Sequence, residues 1–371
     1  MKTKYFLLAV VLCLIFSELC FAQWSTDPAE NTRVNRWGIN PKVTTDGAGG
    51  AIIAWEDDYA WGRDIVAQHV DSSGYKRWAE EGVVICNAEL DQFMWDGDIV
   101  SDGSGGAFIA WRDHRRAVRP ETGYQDSADI YLQHIDANGQ PLWQENGIRI
   151  SNGLYYAHHA KMAADDSGGV VIAWINQDTF SYSQFIAVFM QRISSSGEFL
   201  WSQDSAKIIA PNYDREPSLA ILNDGNKGSI ISCSEGIFRF TMQGELSWQV
   251  TDIPGRMTDY SIVSDGNGGA IYYYTNRLYP IYYLYLQRVN HHGEILWDDN
   301  GIFITTKIPR YWGTSLAPDG EHGAYISWID SAYTYHYNRI NSSGNLLWND
   351  DSISCGIFMG GNNLLSDRNT N

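Results

Sequence analysis

The chain has little cysteine: 5 residues in 371, two of them at positions 13 and 20. Beyond those stand only Cys86, Cys233 and Cys355, an odd number without close spacing. That pattern excludes a disulfide framework and a thiolate metal site, and it fits small buried core residues. Positive charge is also scarce. Lys and Arg number 26 against 44 Asp and Glu, for a net charge of −18. Such a surface repels nucleic acid and anionic membranes and favours cations or neutral ligands. Calcium is the ion it could take, and no cofactor is expected. After residue 22 no long uncharged apolar run remains, so no membrane insertion is expected.

The one apolar run stands at the start. "MKTKYFLLAVVLCLIFSELCFAQW" opens with Lys2 and Lys4, stays apolar over residues 6–16 and reaches a small residue at Ala22. This is the pattern of a secretory signal peptide, residues 1–22, cut before Gln23. We expect an exported protein, periplasmic, cell-surface or extracellular, and a monomer.

What the rest of the chain has in abundance is repetition. "TDGAGGAIIAW" (45–55) returns as "SDGSGGAFIAW" (101–111), "ADDSGGVVIAW" (164–174), "NDGNKGSIISC" (223–233), "SDGNGGAIYYY" (264–274) and "PDGEHGAYISW" (318–328). Each copy is followed by a second element: "HVDSSGYKRW" (69–78), "HIDANGQPLW" (134–143), "RISSSGEFLW" (192–201), "FTMQGELSW" (240–248), "RVNHHGEILW" (288–297) and "RINSSGNLLW" (339–348). Serial units of about fifty residues mean a repeat architecture. The units cover about 41–88, 96–153, 158–211, 216–252, 258–306 and 312–356.

Within each unit, β-branched and aromatic runs lie between Gly, Asp, Asn and Ser, which spells four short strands. The Asp-Gly run DGxGG joins the first strand to the second, and a DxxG turn joins the third to the fourth. Four-stranded units in series point to an all-β fold, a β-propeller of four-stranded blades. Six repeats are complete. "QWSTDPAENTRVN" (23–35) reads as a lone fourth strand and "NNLLSDRNTN" (362–371) as the start of a first strand, the ends of an incomplete seventh. Closure at six blades and closure at seven both stay open.

Repetition also decides what the Asp-Gly runs are. A calcium loop needs alternating carboxylates and a closing Glu, and a phosphate cradle needs a helix behind it. Here strand residues follow the glycines, so the run is a hairpin turn. Trp78, Trp143, Trp201, Trp248, Trp297 and Trp348 hold one repeat position, and Trp55, Trp111, Trp174 and Trp328 another, with Cys233 and Tyr274 substituting. A fully buried Trp removes up to ~250 Å² from water, an upper bound of roughly 6 kcal/mol. Periodic Trp is therefore expected to be buried cement between blades.

The second element resembles the tryptophan-docking repeat of quinoprotein-type propellers, in which a Gly precedes the Trp by four positions, as Gly74 precedes Trp78 and Gly139 precedes Trp143. The "GGAIIAW" element resembles repeats of secreted bacterial β-propellers. The resemblance implies the propeller fold, export and, by analogy with quinoprotein-like scaffolds, a part in an outer-membrane assembly. No constellation of arginine and cysteine for a quinone is seen.

Tight turns place two connections of each unit on one face, so the variable loops share the other, where binding residues are sought. The longest loop reads "RDHRRAVRPETGYQDSAD" (112–129), with Arg112, Asp113, His114 and Arg115, then Arg116 and Arg119. It reads as an anion clamp or as a solvated loop paired to nearby Asp. Seven residues before each turn Asp stand Ile39, Trp95, His158, Pro217, Thr258 and Trp312, followed by Asn40, Asp96, His159, Ser218, Asp259 and Gly313. These rim the central channel. The candidate ligand-binding set is thus Trp95, Asp96, Arg112, Asp113, His114, Arg115, His158, His159 and Trp312. His158 and His159 could bind a metal, but adjacent strand residues point to opposite faces, so no metal site is expected.

Two residues beyond each second-strand aromatic stand Asp57, Asp113, Asn176, Glu235, Asn276 and Asp330, read as structural caps for loop amides. In "YYYTNRLYPIYYLYLQ" (272–287) alternation is expected to bury half the tyrosines. No nucleophile motif stands out. The reading is a non-catalytic propeller that binds a protein or carbohydrate on its loop face. The alternatives are a carbohydrate-active hydrolase or lyase using Asp96, Asp113 or His158 at the channel mouth, or an outer-membrane assembly scaffold.

Overall fold

Each Asp-Gly turn is folded by its own carboxylate. In the first unit Asp46 Oδ1 accepts the amides of Ala48 at 2.7 Å and Gly50 at 2.8 Å. The same bonds recur at Asp102, Asp165, Asp224, Asp265 and Asp319. Gly47 and Gly49 supply the positive φ, 78° and 87°, that the turn requires. The second oxygen meets a basic side chain from the third strand. His69 and His134 fill this place at 2.8 and 3.0 Å. Arg192, Arg239, Arg288 and Arg339 fill it in the later units. Both oxygens of each turn Asp are therefore engaged inside the fold.

The computed structural model describes residues 32–35, 37–57, 62–116, 127–151, 156–177, 186–202, 207–210, 219–254, 262–278, 281–306, 308, 313–330, 332, 334–348 and 353–355. They form six four-stranded antiparallel sheets, each in sequence order. Blade 1 is β1 (Gly38–Thr45), β2 (Ala51–Asp57), β3 (Asp64–Val70) and β4 (Val83–Cys86). Blade 2 is β5 (Gln92–Ser101), β6 (Ala107–Asp113), β7 (Asp129–Ile135) and β8 (Ile148–Arg149). Blade 3 is β9 (Tyr156–Ala164), β10 (Val170–Gln177), β11 (Ile186–Ile193) and β12 (Lys207–Ala210). Blade 4 is β13 (Leu219–Asn223), β14 (Gly228–Cys233), β15 (Gly236–Thr241) and β16 (Leu246–Val250). Blade 5 is β17 (Ile262–Ser264), β18 (Ala270–Leu278), β19 (Ile281–Val289) and β20 (Ile302–Thr305). Blade 6 is β21 (Ser315–Pro318), β22 (Ala324–Ile329), β23 (Tyr335–Ile340) and β24 (Ile353–Cys355). The first strands β1, β5, β9, β13, β17 and β21 lie side by side in that order. The protein is a β-propeller. No helix among the described residues is long and apolar enough to cross a membrane.

The core lies between blades. Ile52 and Ala54 of blade 1 pack with Ile109 and Trp111 of blade 2. Phe108 and Ala110, on the other side of the same strand, pack with Ala160 and Ile172 of blade 3. Alternation therefore sends side chains to two neighbouring blades rather than to core and solvent. Of the described tyrosines in 272–287, Tyr272, Tyr273 and Tyr274 are buried and Tyr282, Tyr283 and Tyr285 half-buried, so half are buried as expected but in a run rather than by alternation. Cys86 and Cys233 are buried and free.

The second Trp row ties neighbouring blades together. The indole Nε1 of Trp78, Trp143, Trp201, Trp248 and Trp297 donates to a carbonyl in the next blade's third turn: Ala137, Ser195, Met242, His291 and Ser342, at 2.8–3.1 Å. Each ring lies against the glycine two residues further on; a Cβ added to Gly139 would meet Trp78 at 2.8 Å. Trp201 and Trp297 are buried, but Trp78, Trp143 and Trp248 are only half-buried, which corrects the expectation of full burial. Among the described residues Trp348 makes no such bond; its ring lies 5.9 Å from Tyr325 in its own blade. Of the seventh-blade ends, residues 362–371 and 23–31 lie outside the described residues.

Candidate functional site

At the loop end of the channel the first strands lose their regular register. In β5, Phe93 pairs with Arg112 and Asp98 with Ala110, so Met94–Gly97 bulge opposite Trp111 alone. Gly97 is required there, because a Cβ would meet the Ala110 carbonyl at 2.3 Å. Glu56, wholly buried at the end of β2, pins the bulge. Its Oε1 accepts the amides of Met94 (2.7 Å) and Trp95 (2.9 Å) and the side-chain amide of Asn40 (3.0 Å). Held this way, Trp95 stays 45% exposed while the neighbouring Asp96 is buried.

Arg112 lies behind Trp95. Its Nη1 donates to Asp96 Oδ2. Its guanidinium lies over Phe93 at 4.6 Å, Trp95 at 4.7 Å and Tyr156 at 5.4 Å. A weakly hydrated planar cation suits such a cage. Arg112 and Asp113 belong to β6 rather than to the loop after it, and both are buried.

A second bulge, in β9, alters the histidine pair. His159 has φ of 53°, in the left-handed region. The strand rule that adjacent side chains diverge fails at such a step. His158 Nδ1 and His159 Nδ1 face each other at 2.5 Å, and His159 Nδ1 is 3.3 Å from Asp96 Oδ1. The two rings therefore lie together rather than on opposite faces, which corrects that premise, and with Asp96 they offer donor atoms all within 4.8 Å of one another. The left-handed step recurs in the same repeat position at Asn40 (52°) and Gly313 (96°).

Burial, His159 and Arg112 push the His158 imidazole down to about 3. Burial, Lys161, Arg112 and Lys42 push His159 down to about 4. Both rings are therefore neutral at neutral pH. Lys42 is itself pushed down by burial and by Lys161.

The remaining candidates separate. Asp113 accepts from Trp111 Nε1 (2.8 Å) and from Arg115 Nε (2.9 Å) and Nη2 (2.6 Å). Arg115 also donates to the Asn146 carbonyl and covers Tyr131. This pair is a staple, so the anion-clamp reading gives way to internal pairing there; Arg116 likewise reaches Asp129 at 3.2 Å. Asn176 accepts from Trp174 as Asp113 does from Trp111, so these caps bond the indole as well as loop amides. His114 edges the cluster against Phe93 and Tyr156. Trp312, Arg119, Pro217, Ser218, Thr258 and Asp259 lie outside the described residues. Phe93, Tyr156 and Glu56 were not singled out in the sequence. A carboxylate beside the Trp of β2, where β6 has Arg, was the available signal.

No protein-family model and no functionally curated protein matches the chain. Solved structures do. A Dyadobacter fermentans protein of unknown function is similar at 13% identity and TM-score 0.45, over 85% of this chain and 94% of that one. A Penicillium chrysogenum α-L-arabinanase complexed with arabinobiose is similar at 11% and 0.37, over 73% and 78%. The Aleuria aurantia lectin in complex with Fucα1-6GlcNAc is similar at 11% and 0.36, over 83% and 94%. Likeness at this level does not extend to what this chain binds.

Proposed function

We propose that the chain is an exported, non-catalytic propeller that binds a carbohydrate at the channel mouth, with Trp95 as the platform. The observation that carries this reading is the setting of Trp95. Nearly half its surface is open, yet its backbone is pinned by Glu56 and its ring rests on a buried, paired Arg112. A platform fixed before binding loses little freedom when a ligand arrives. An indole with a polar group at its edge, here the His159 imidazole, matches a sugar's apolar C–H face and hydroxyl rim. The acidic surface favours neutral ligands over anionic ones.

The hydrolase alternative is less favoured, because Asp113 is closed by Trp111 and Arg115 and Asp96 is 2% exposed. The docked indoles fit the tryptophan-docking resemblance, and the reading of export rests on the leader pattern over residues 1–22 alone. The test is a thermal-shift screen of the mature chain against a polysaccharide panel, since a ligand of the folded state raises Tm. A glycan shift that Trp95→Ala removes supports the reading. A shift that Trp95→Ala leaves intact, or no shift across the panel, overturns it.

A further inference from the structure

We propose that Asp96, His158 and His159 form a binding site for one divalent transition metal ion of the zinc type. This goes beyond the glycan reading and does not depend on it. Three observations converge. The donor atoms, one from each residue, lie within 4.8 Å of one another. Metal–ligand bonds of about 2.0–2.1 Å at tetrahedral angles place donors about 3.3 Å apart. Asp96 Oδ1 and His159 Nδ1 are separated by 3.3 Å, while the two Nδ1 atoms stand 2.5 Å apart and would have to part by about 0.8 Å to share an ion.

The backbone is the second observation. His159 takes the left-handed φ that recurs at this repeat position in Asn40 and Gly313, and in this blade that step brings its ring beside that of His158. The third is electronic. His158 is buried, and its Nε2 has no hydrogen-bond partner. In the tautomer with the proton on Nε2, the His158 Nδ1 lone pair faces His159 Nδ1, which in turn stands beside the Asp96 oxygen. Lone pairs converging on one point repel unless a proton or a cation lies among them. A cation satisfies all three.

The surroundings are those of a held ligand set. Arg112 takes the other oxygen of Asp96 and so orients the carboxylate from outside. The donor set is two imidazoles and one carboxylate, which suits zinc, cobalt, nickel or copper. It does not suit calcium, which takes six to eight oxygens. The charged groups near the site are Glu56, Asp96 and Asp98 against Arg112, Lys42 and Lys161. The three signs balance, and Lys161 acts directly on His159. His159, whose side chain is 15% exposed, lies on the approach from Trp95, 5.9 Å away.

The experiment uses the whole mature chain, stripped with chelator and dialysed. Zinc is titrated calorimetrically, and cobalt is titrated with its visible d–d absorption as the readout of ligand type. We expect one ion per chain and a cobalt spectrum of low-coordinate nitrogen–oxygen ligation. His159→Asn removes the imidazole but keeps a residue that tolerates the left-handed step, as Asn40 does, and should abolish both signals while the chain stays folded by circular dichroism. Asp96→Asn should weaken both. Lys161→Met, which removes a like charge, should tighten zinc. The exposed His291–His292 pair, rings 3.9 Å apart, is the adventitious competitor, and its double Ala variant should bind as the parent does. Absence of stoichiometric binding, binding that survives His159→Asn, binding lost with His291 and His292, or no tightening in Lys161→Met overturns the proposal.

Discussion

Trp143 Nε1 donates to the Ser195 carbonyl of the next blade at 2.9 Å, and the same oxygen is met by His134 Nδ1 at 3.1 Å. His134 Nε2 in turn holds the turn carboxylate Asp102. One carbonyl thus links a docking indole, a third-strand imidazole and an Asp-Gly turn. Arg192 with Trp201 on Met242, and Arg288 with Trp297 on Ser342, repeat the link. These junctions add polar ties to the apolar packing between blades.

The first expected outcome concerns that junction. Gly197 has φ of 87°, and a Cβ there would meet Trp143 at 3.3 Å. Gly197→Ala should destabilise by about 1–2 kcal/mol, from the left-handed backbone alone. Trp143→Ala should cost about 3 kcal/mol, at the lower end for a large aromatic because the ring is half-exposed. Urea unfolding of both variants checks this, and an unchanged midpoint in Trp143→Ala would contradict docking as a stabilising contact.

The turn carboxylates set an acid limit. Burial raises the Asp102 carboxyl, but the hydrogen bond from His134 and those from Ser104 and Gly106 outweigh it and hold the group below the ordinary value. Asp46 is held down in the same way, burial being outweighed by His69, Ala48 and Gly50. A depressed carboxyl contributes stability above the unfolded value, and that stability is lost as pH falls through the folded value. The Tm should therefore hold in the mildly acidic range and fall below about pH 4. Asp102→Asn should flatten part of that fall; an identical acid profile in Asp102→Asn would contradict the assignment.

The thiols offer a third check. Burial pushes Cys86 up to about 12 despite the amide of Ala88 and the charge of Arg115. Burial pushes Cys233 to about 12 as well. Neither should react with a thiol alkylator in the folded chain at pH 8, and both should react in urea. Native-state labelling followed by mass spectrometry reads this directly, and rapid labelling of Cys86 would show that blades 1 and 2 separate readily.

The repeats were legible because turn chemistry is local. An Asp that bonds its own backbone and a Gly with positive φ need nothing from the rest of the chain, so Asp46 and Gly47 announce their role in sequence. The third-strand basic residue was equally repeated, as His69, His134, Arg192, Arg239, Arg288 and Arg339, but its partner is a turn distant in sequence, so its role emerges only in space. Arg112 and Asp113 read as loop because they are charged. Pairing with Asp96 and Arg115 lets them stay in a buried strand end. The facing of His158 and His159 was not legible because alternation assumes a regular strand, and a single left-handed residue at His159 breaks it. Asn40 and Gly313, residues tolerant of that conformation at the same repeat position, were the signal.

The channel mouth as the working site is tested most directly by calorimetric titration of the parent chain and Trp95→Ala, side by side, with the glycan giving the largest thermal shift. The account predicts saturable binding in the parent and none in Trp95→Ala, with both variants unfolding at similar urea concentrations. Equal affinity in the two would contradict it and move the binding surface away from blades 1 to 3.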